Sequence, residues 1–236
     1  MMTTDTKNEG RVRLAALPGE ILALLPRMGR VMLTVSAGDV THERIGPVER
    51  VSLDGNIARL EGESHRAALD IGAIGTIVAD RTGRMRDRAL PRVQALAPDG
   101  RALYALIALD GLEPFDAALS EVATAEPVPP LPKPGDRGDP PSCDDDLVRL
   151  LVDRLAEERA TIEVAFESEG VVQSWSGVAS PTKPAMGFVN IIQPDFHLHA
   201  RAGAVASWRE EGRSRHALDA DGMPIGLTVR VRDARA

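Results

Sequence analysis

At 236 residues the chain is long enough to bury one or two cores. A net charge of −7, with basic residues scattered rather than clustered, argues against a nucleic-acid binder, because phosphate contacts require a concentrated basic surface. Aromatics are only 3% of residues, so cores must be aliphatic and padded with alanine, and the single cysteine, Cys143, excludes an internal disulfide or a cysteine-built metal cage.

Met1 to Gly10 reads as a flexible leader, polar and without the apolar core of a signal peptide. No apolar run approaches bilayer length, so the expectation is a cytoplasmic protein with no membrane insertion. A short helix follows, with Pro18 near its first turn and Ile21, Leu22, Leu24 and Leu25 on its apolar face, closed by Pro26 and Gly29. From Val31 the texture turns to short β-branched or alternating runs: Val31–Val35, Val48–Leu53, Ile57–Leu60, Ile74–Val78 and Leu103–Leu109. Asp54-Gly55 and Asp99-Gly100 are hairpin signals, since glycine accepts the positive φ such turns demand.

Phe115 to Val122 reads as a brief helix. Glu126 to Ser142 is crowded with proline, which lacks the backbone donor of a sheet or helix, and reads as an extended linker. Ser142 then caps a helix with Asp144, Asp145 and Asp146 in its first turn and Leu147, Leu150, Leu151, Val152 and Leu155 in its apolar stripe. The β texture returns at Ile162–Phe166, Val171–Gln173, Phe188–Ile192, Phe196–Ala200 and Ile225–Val231, with Asp221-Gly222 as a further hairpin signal.

The second half looks like a copy of the first. Gly46 and Gly177 follow comparable strands, the Leu60 and Ile191 regions keep the same spacing from them, and Ala97-Pro98-Asp99-Gly100 echoes Asp219-Ala220-Asp221-Gly222. The expected organisation is a leader over 1–10, one β-rich half over 11–125, the linker over 126–142 and a second half over 143–236.

Two segments carry a resemblance. One is Leu24-Leu25-Pro26-Arg27-Met28-Gly29-Arg30-Val31-Met32 followed by Val40-Thr41-His42-Glu43-Arg44-Ile45-Gly46, read as a strand and then a charged turn. The other is Phe188-Val189-Asn190-Ile191-Ile192-Gln193-Pro194-Asp195-Phe196-His197-Leu198-His199. Both resemble the HemS/ChuX family of haem-utilisation proteins, the second matching that family's W-L-N-V-x-D-P-D-F-N-L-H-L stretch at Asn190, Pro194, Asp195, Phe196, Leu198 and His199. The resemblance implies an α+β fold of two related halves, a tandem HemS-like repeat, each half a large antiparallel β-sheet with accompanying helices. It also implies haem as cofactor, with a haem importer or a haem-degrading enzyme as protein partner. One departure is plain. Where the family carries an axial histidine, this chain reads Gly170-Val171-Val172-Gln173-Ser174-Trp175-Ser176-Gly177, and an indole nitrogen donates a hydrogen bond but cannot ligate iron. Arg232 falls where family members place an arginine on the other face of the haem.

Asp195, His197 and His199 alternate, so one strand would project all three from one face. Either histidine is a candidate replacement haem ligand, His199 first because its match to the family is better. Two histidines and a carboxylate on one face also suit a divalent metal, and a solvated polar face is the plain alternative. Trp175 and Trp208 are candidates for lining a tetrapyrrole cavity or for filling a core, and His42, His65 and His216 read as surface or turn residues. No nucleophile–base constellation, phosphate loop or dinucleotide fingerprint is visible. The sequence thus points to a haem-binding or haem-trafficking protein with altered ligation, against a second reading in which a degenerate relative has lost haem and serves protein interaction or sensing. Any haem breakdown would be chemistry of the iron rather than of the chain.

Overall fold

A computed structural model describes residues 10–130 and 140–232. The leader apart from Gly10, residues 131–139 of the linker interval and the last four residues lie outside that range. The first half runs β1 (Arg11–Leu14), α1 (Pro18–Leu22), β2 (Arg30–Ala37), β3 (Val40–Pro47), β4 (Arg50–Asp54), β5 (Ile57–Glu61), β6 (Arg66–Asp70), β7 (Thr76–Asp80), β8 (Arg84–Met85), β9 (Arg88–Ala89), β10 (Arg92–Leu96), β11 (Ala102–Ala108), α2 (Leu112–Leu119) and β12 (Thr124–Pro127). The second runs α3 (Leu147–Glu157), β13 (Thr161–Ser168), β14 (Val171–Val178), β15 (Phe188–Ile192), β16 (Phe196–Arg201), β17 (Ser207–Glu211), β18 (Ser214–Leu218) and β19 (Pro224–Val231).

Apart from a two-stranded β8–β9 hairpin, the strands form two large antiparallel sheets, so the α+β class holds. One sheet has nine strands in the order β12-β1-β7-β10-β11-β2-β3-β16-β15, and the other eight in the order β17-β18-β19-β13-β14-β6-β5-β4. The same path is visible in both. A hairpin (β2-β3 or β13-β14) is flanked on one side by strands of its own half and on the other by strands lent from the opposite half. Thus β4–β6 of the first half complete the second half's sheet, and β15–β16 complete the first half's. The halves are related, but neither builds its sheet alone.

Alternation explains the packing. Val31, Leu33 and Val35 are buried along β2, and Ile162, Val164 and Phe166 are buried along β13, each with partly exposed residues between. These faces join a single continuous apolar core that includes Phe115, Leu198 and Phe196. Gly46 and Gly177, equivalent in the two halves, are both sites of close approach. A Cβ on Gly46 would collide with the Ser64 side chain, and one on Gly177 with the Trp175 ring.

Several expectations change. Val40–Gly46 is not a charged turn but the body of β3, with His42, Glu43 and Arg44 all buried. Trp175 sits within strand β14, which begins just after a turn at Gly170. The cap of α3 is Asp146, whose carboxylate accepts from the Val148 and Arg149 amides, rather than Ser142. Glu126 and Pro127 do join a sheet, because β12 lies at its edge, where a missing amide costs no ladder bond. His65 is buried, its Nε2 donating to the Gly46 carbonyl at 3.0 Å. No described helix is long and apolar enough to cross a membrane.

Candidate functional site

The sheets meet along β3 and β14, and the buried polar groups collect there. Arg44 donates to the Ser64 carbonyl, to the Ser174 carbonyl at 3.2 Å and to Asp195 Oδ2 at 3.3 Å. Trp175, the Arg44 equivalent in the second half, donates its indole N–H to the other Asp195 oxygen at 3.1 Å. The Trp175 ring is 5% exposed and stacks on Phe196, with centroids 4.7 Å apart and planes at 13°. Asp195 therefore does not share a site with the histidines that follow it. It ties Arg44 to Trp175.

Beside this seam lies a cleft of about 780 Å³, a volume suited to a small-molecule ligand. Arg44, Arg66, Arg213, Arg230 and Arg232 line it, opposed by Glu63 and Asp195. Arg232 also pairs with Glu163 at 2.7 Å. An excess of guanidinium groups around one concavity favours a ligand with carboxylates, which guanidinium binds in bidentate fashion. A second cleft, about 940 Å³, is lined by Asp39, Glu167, Glu169 and Asp219, with no lysine or arginine in its wall, and would repel such a ligand.

His197 and His199 project from β16 on the face opposite buried Phe196 and Leu198. In the β16–β3 register His197 lies directly across from Glu43, and His199 from Thr41. Glu43 Oε2 is 3.2 Å from His197 Nδ1 and 3.5 Å from His199 Nε2, while Thr34 Oγ1 donates to Glu43 Oε1 at 3.2 Å. Burial would raise the Glu43 pKa, but hydrogen bonds and charge from both histidines overcome it and hold the carboxyl down at about 2. One donor atom from each of the three side chains lies within 4.8 Å of the others.

The structure thus separates the residues singled out from sequence. Arg232 lines the cleft, Trp175 packs into the interior with only its neighbours Ser174 and Ser176 at the cleft wall, and His197 and His199 form a cluster of their own. Glu43, Arg44, Arg66, Arg213 and Arg230 were missed as site residues. Glu43 had one legible signal, its place beside His42 and Arg44 in the resembling segment, but its partners lie far along the chain on β16.

No family model matches the sequence, and no curated protein matches it. Solved structures do match its fold. Holo-PhuS, described as a heme-binding protein from Pseudomonas aeruginosa, is 16% identical, with 96% of this chain and 82% of that chain covered at a TM-score of 0.75. ChuS, described as an E. coli heme oxygenase, is 17% identical, with 96% of this chain and 84% of that chain covered at a TM-score of 0.75. The resemblance drawn from two short segments therefore holds over nearly the whole chain at the level of architecture, and this protein has the two-sheet α+β fold of PhuS and ChuS.

Proposed function

We propose that the chain is a cytoplasmic haem-binding protein of haem utilisation, which takes the propionate edge of haem into the arginine-lined cleft and passes it on. The observation that carries this reading is the convergence of Arg44, Arg66, Arg213, Arg230 and Arg232 on one concavity, in a fold whose solved examples include a heme-binding protein. Guanidinium groups there would hold two carboxylates. The cleft wall offers no imidazole, thiol, thioether or phenol, and Trp175 faces the interior, so iron ligation differs from that of a histidine-anchored haem. Val231 is the main apolar residue of the wall, so the macrocycle gains little hydrophobic contact. Weak, readily reversed binding follows, which suits a carrier better than a store or a haem-degrading enzyme, and an importer or such an enzyme would be its partner.

The test is a hemin titration followed by absorbance, with the Arg230→Ser/Arg232→Ser double variant and hemin dimethyl ester alongside. Charge-assisted hydrogen bonds contribute about 1.5–3 kcal/mol each, so the variant should bind at least tenfold more weakly, and esterification should weaken binding to the starting protein similarly. The missing iron ligand favours a second reading, a relative that has lost haem and serves protein interaction. Absence of any saturable Soret change would establish that reading over the first.

A further inference from the structure

We propose that Glu43, His197 and His199 form a binding site for one divalent first-row transition-metal ion, distinct from the arginine-lined cleft and independent of haem. Asn190 orients the His199 ring. Its amide nitrogen donates to the Lys183 carbonyl at 2.8 Å and the Phe188 carbonyl at 3.3 Å, which fixes the amide so that Oδ1 faces His199 Nδ1 at 2.7 Å. An amide oxygen only accepts, so Nδ1 of His199 donates to Asn190 and Nε2 is the ring nitrogen turned toward Glu43. It lies 3.5 Å from Glu43 Oε2. His197 Nδ1 lies 3.2 Å from the same oxygen, so a metal ion taking the place of the protons that otherwise join these groups would meet three donor atoms at once.

The outer contacts fit the same purpose. Metal-bound histidine ordinarily donates its other ring N–H to an oxygen, and metal-bound carboxylates are themselves hydrogen-bonded. Asn190 fills the first role for His199, and Thr34 the second for Glu43. Tetrahedral coordination at about 2.0–2.1 Å places neighbouring donor atoms about 3.4 Å apart, close to the 3.2 and 3.5 Å that Glu43 Oε2 already keeps from the two rings. Two imidazoles and one carboxylate form a nitrogen-rich set that suits zinc, iron(II) or cobalt(II) rather than magnesium or calcium. Both rings are partly exposed, which leaves further coordination positions to solvent. Haem iron is a poor occupant, since the donors converge inward on Glu43, whereas a macrocycle needs one imidazole standing clear of its neighbours.

The test uses full-length, tag-free, EDTA-treated protein and cobalt(II) at pH 8, read by equilibrium dialysis and visible absorption. One ion per chain with a ligand-field band is expected, and zinc should compete for it. The His197→Ala/His199→Ala double variant, folded by circular dichroism, should lose at least a hundredfold in affinity, and Asn190→Ala tenfold or more through the freed His199 ring. Glu43→Gln should likewise lose the band; if that variant fails to fold, the histidine variants still decide. Absence of cobalt binding by the folded starting protein would overturn the proposal, as would undiminished binding by the double variant. Saturating hemin should leave cobalt stoichiometry unchanged. Displacement of cobalt by hemin would instead make these histidines haem ligands and overturn the separate site. Failure of haem binding in the cleft leaves this test intact.

Discussion

His42 and Gln173 occupy equivalent places in the two halves and make the same contact in opposite directions. The His42 Nε2–H donates to the Val164 carbonyl at 3.3 Å, and Gln173 Nε2 reaches the Leu33 carbonyl, Val164's own counterpart, at 3.5 Å. Gln173 also donates to the His42 carbonyl at 2.8 Å. A carbonyl only accepts, so the proton on His42 sits on Nε2, while its Nδ1 and the Gln173 Oε1 are both buried without a hydrogen-bond partner. This pair stitches β3 to β13 and β14 to β2 at the centre of the sheet interface, where charging His42 would strand a cation among Phe166, Phe196 and Val164.

Stability should therefore fall on mild acidification. Burial holds the His42 pKa down at about 3, only partly offset by its bond to Val164, and burial lowers His65 too. Above the ordinary histidine value of about 6.5 both folded and unfolded forms are neutral and stability is full. Below it the unfolded chain takes up protons that the folded chain excludes, so stability drops by about 1.4 kcal/mol per pH unit for His42, down to about pH 3. Glu43 acts in a lower window, its contribution present above about pH 4.5 and lost as pH falls through about 2. Urea midpoints at pH 7.5 and 5 should diverge less in His42→Gln, which installs the other half's residue. Equal divergence in both proteins would refute His42 as the source.

Trp175→His restores the residue that the resembling family carries, yet the side chain here faces Phe196, Gly177 and Asp195. The smaller ring leaves a void in the stack and should cost about 3 kcal/mol, with no new haem-ligation spectrum. Gly177→Ala should destabilise by about 1–3 kcal/mol through overpacking against the same ring. Thermal denaturation and a hemin spectrum of each variant would check both. A red-shifted Soret band in Trp175→His would mean the position opens to the cleft.

Asp80 is wholly buried and anchors Arg11 at 2.8 Å and Arg92 at 2.9 Å, joining β1, β7 and β10. Burial opposes its ionisation, but hydrogen bonds from Thr82 and the charge of Arg92 bring its pKa below the ordinary value. Removing it leaves the Arg11 guanidinium buried without its counter-charge, so Asp80→Ala should lose about 3–5 kcal/mol. Chemical denaturation of the variant would measure this, and a loss below about 1 kcal/mol would show that the pair is not what holds that edge.

Limited proteolysis should cut within Glu126 to Ser142, most readily beyond β12. Because β4–β6 are hydrogen-bonded to β14 and β15–β16 to β3, the two fragments should co-elute on size exclusion and separate only in denaturant. Fragments that part under native conditions would contradict the exchange of strands.

Much of the β framework was legible in the chain. Runs such as Ile57–Leu60, Phe188–Ile192 and Ile225–Val231 are strands as read, and Asp54-Gly55, Asp99-Gly100 and Asp221-Gly222 do close hairpins, because short apolar runs and positive-φ turns are local properties. The kinship of the halves was visible as well, in the equal spacing of Gly46 from Gly177 and Leu60 from Ile191. Strand β3 was not legible, since His42, Glu43 and Arg44 read as surface until their partners Val164, His197 and Asp195 are supplied from the far half of the chain. Only the tertiary structure could lend β15–β16 to the first half's sheet. That pairing sets His197 opposite Glu43 and sends Asp195 to Trp175 instead, while the loan of β6 to the second half's sheet brings Arg66 to the same cleft as Arg230 and Arg232. Alternation along a strand determines which face a side chain takes, but the strand that lies beside it is decided by contacts distant in sequence.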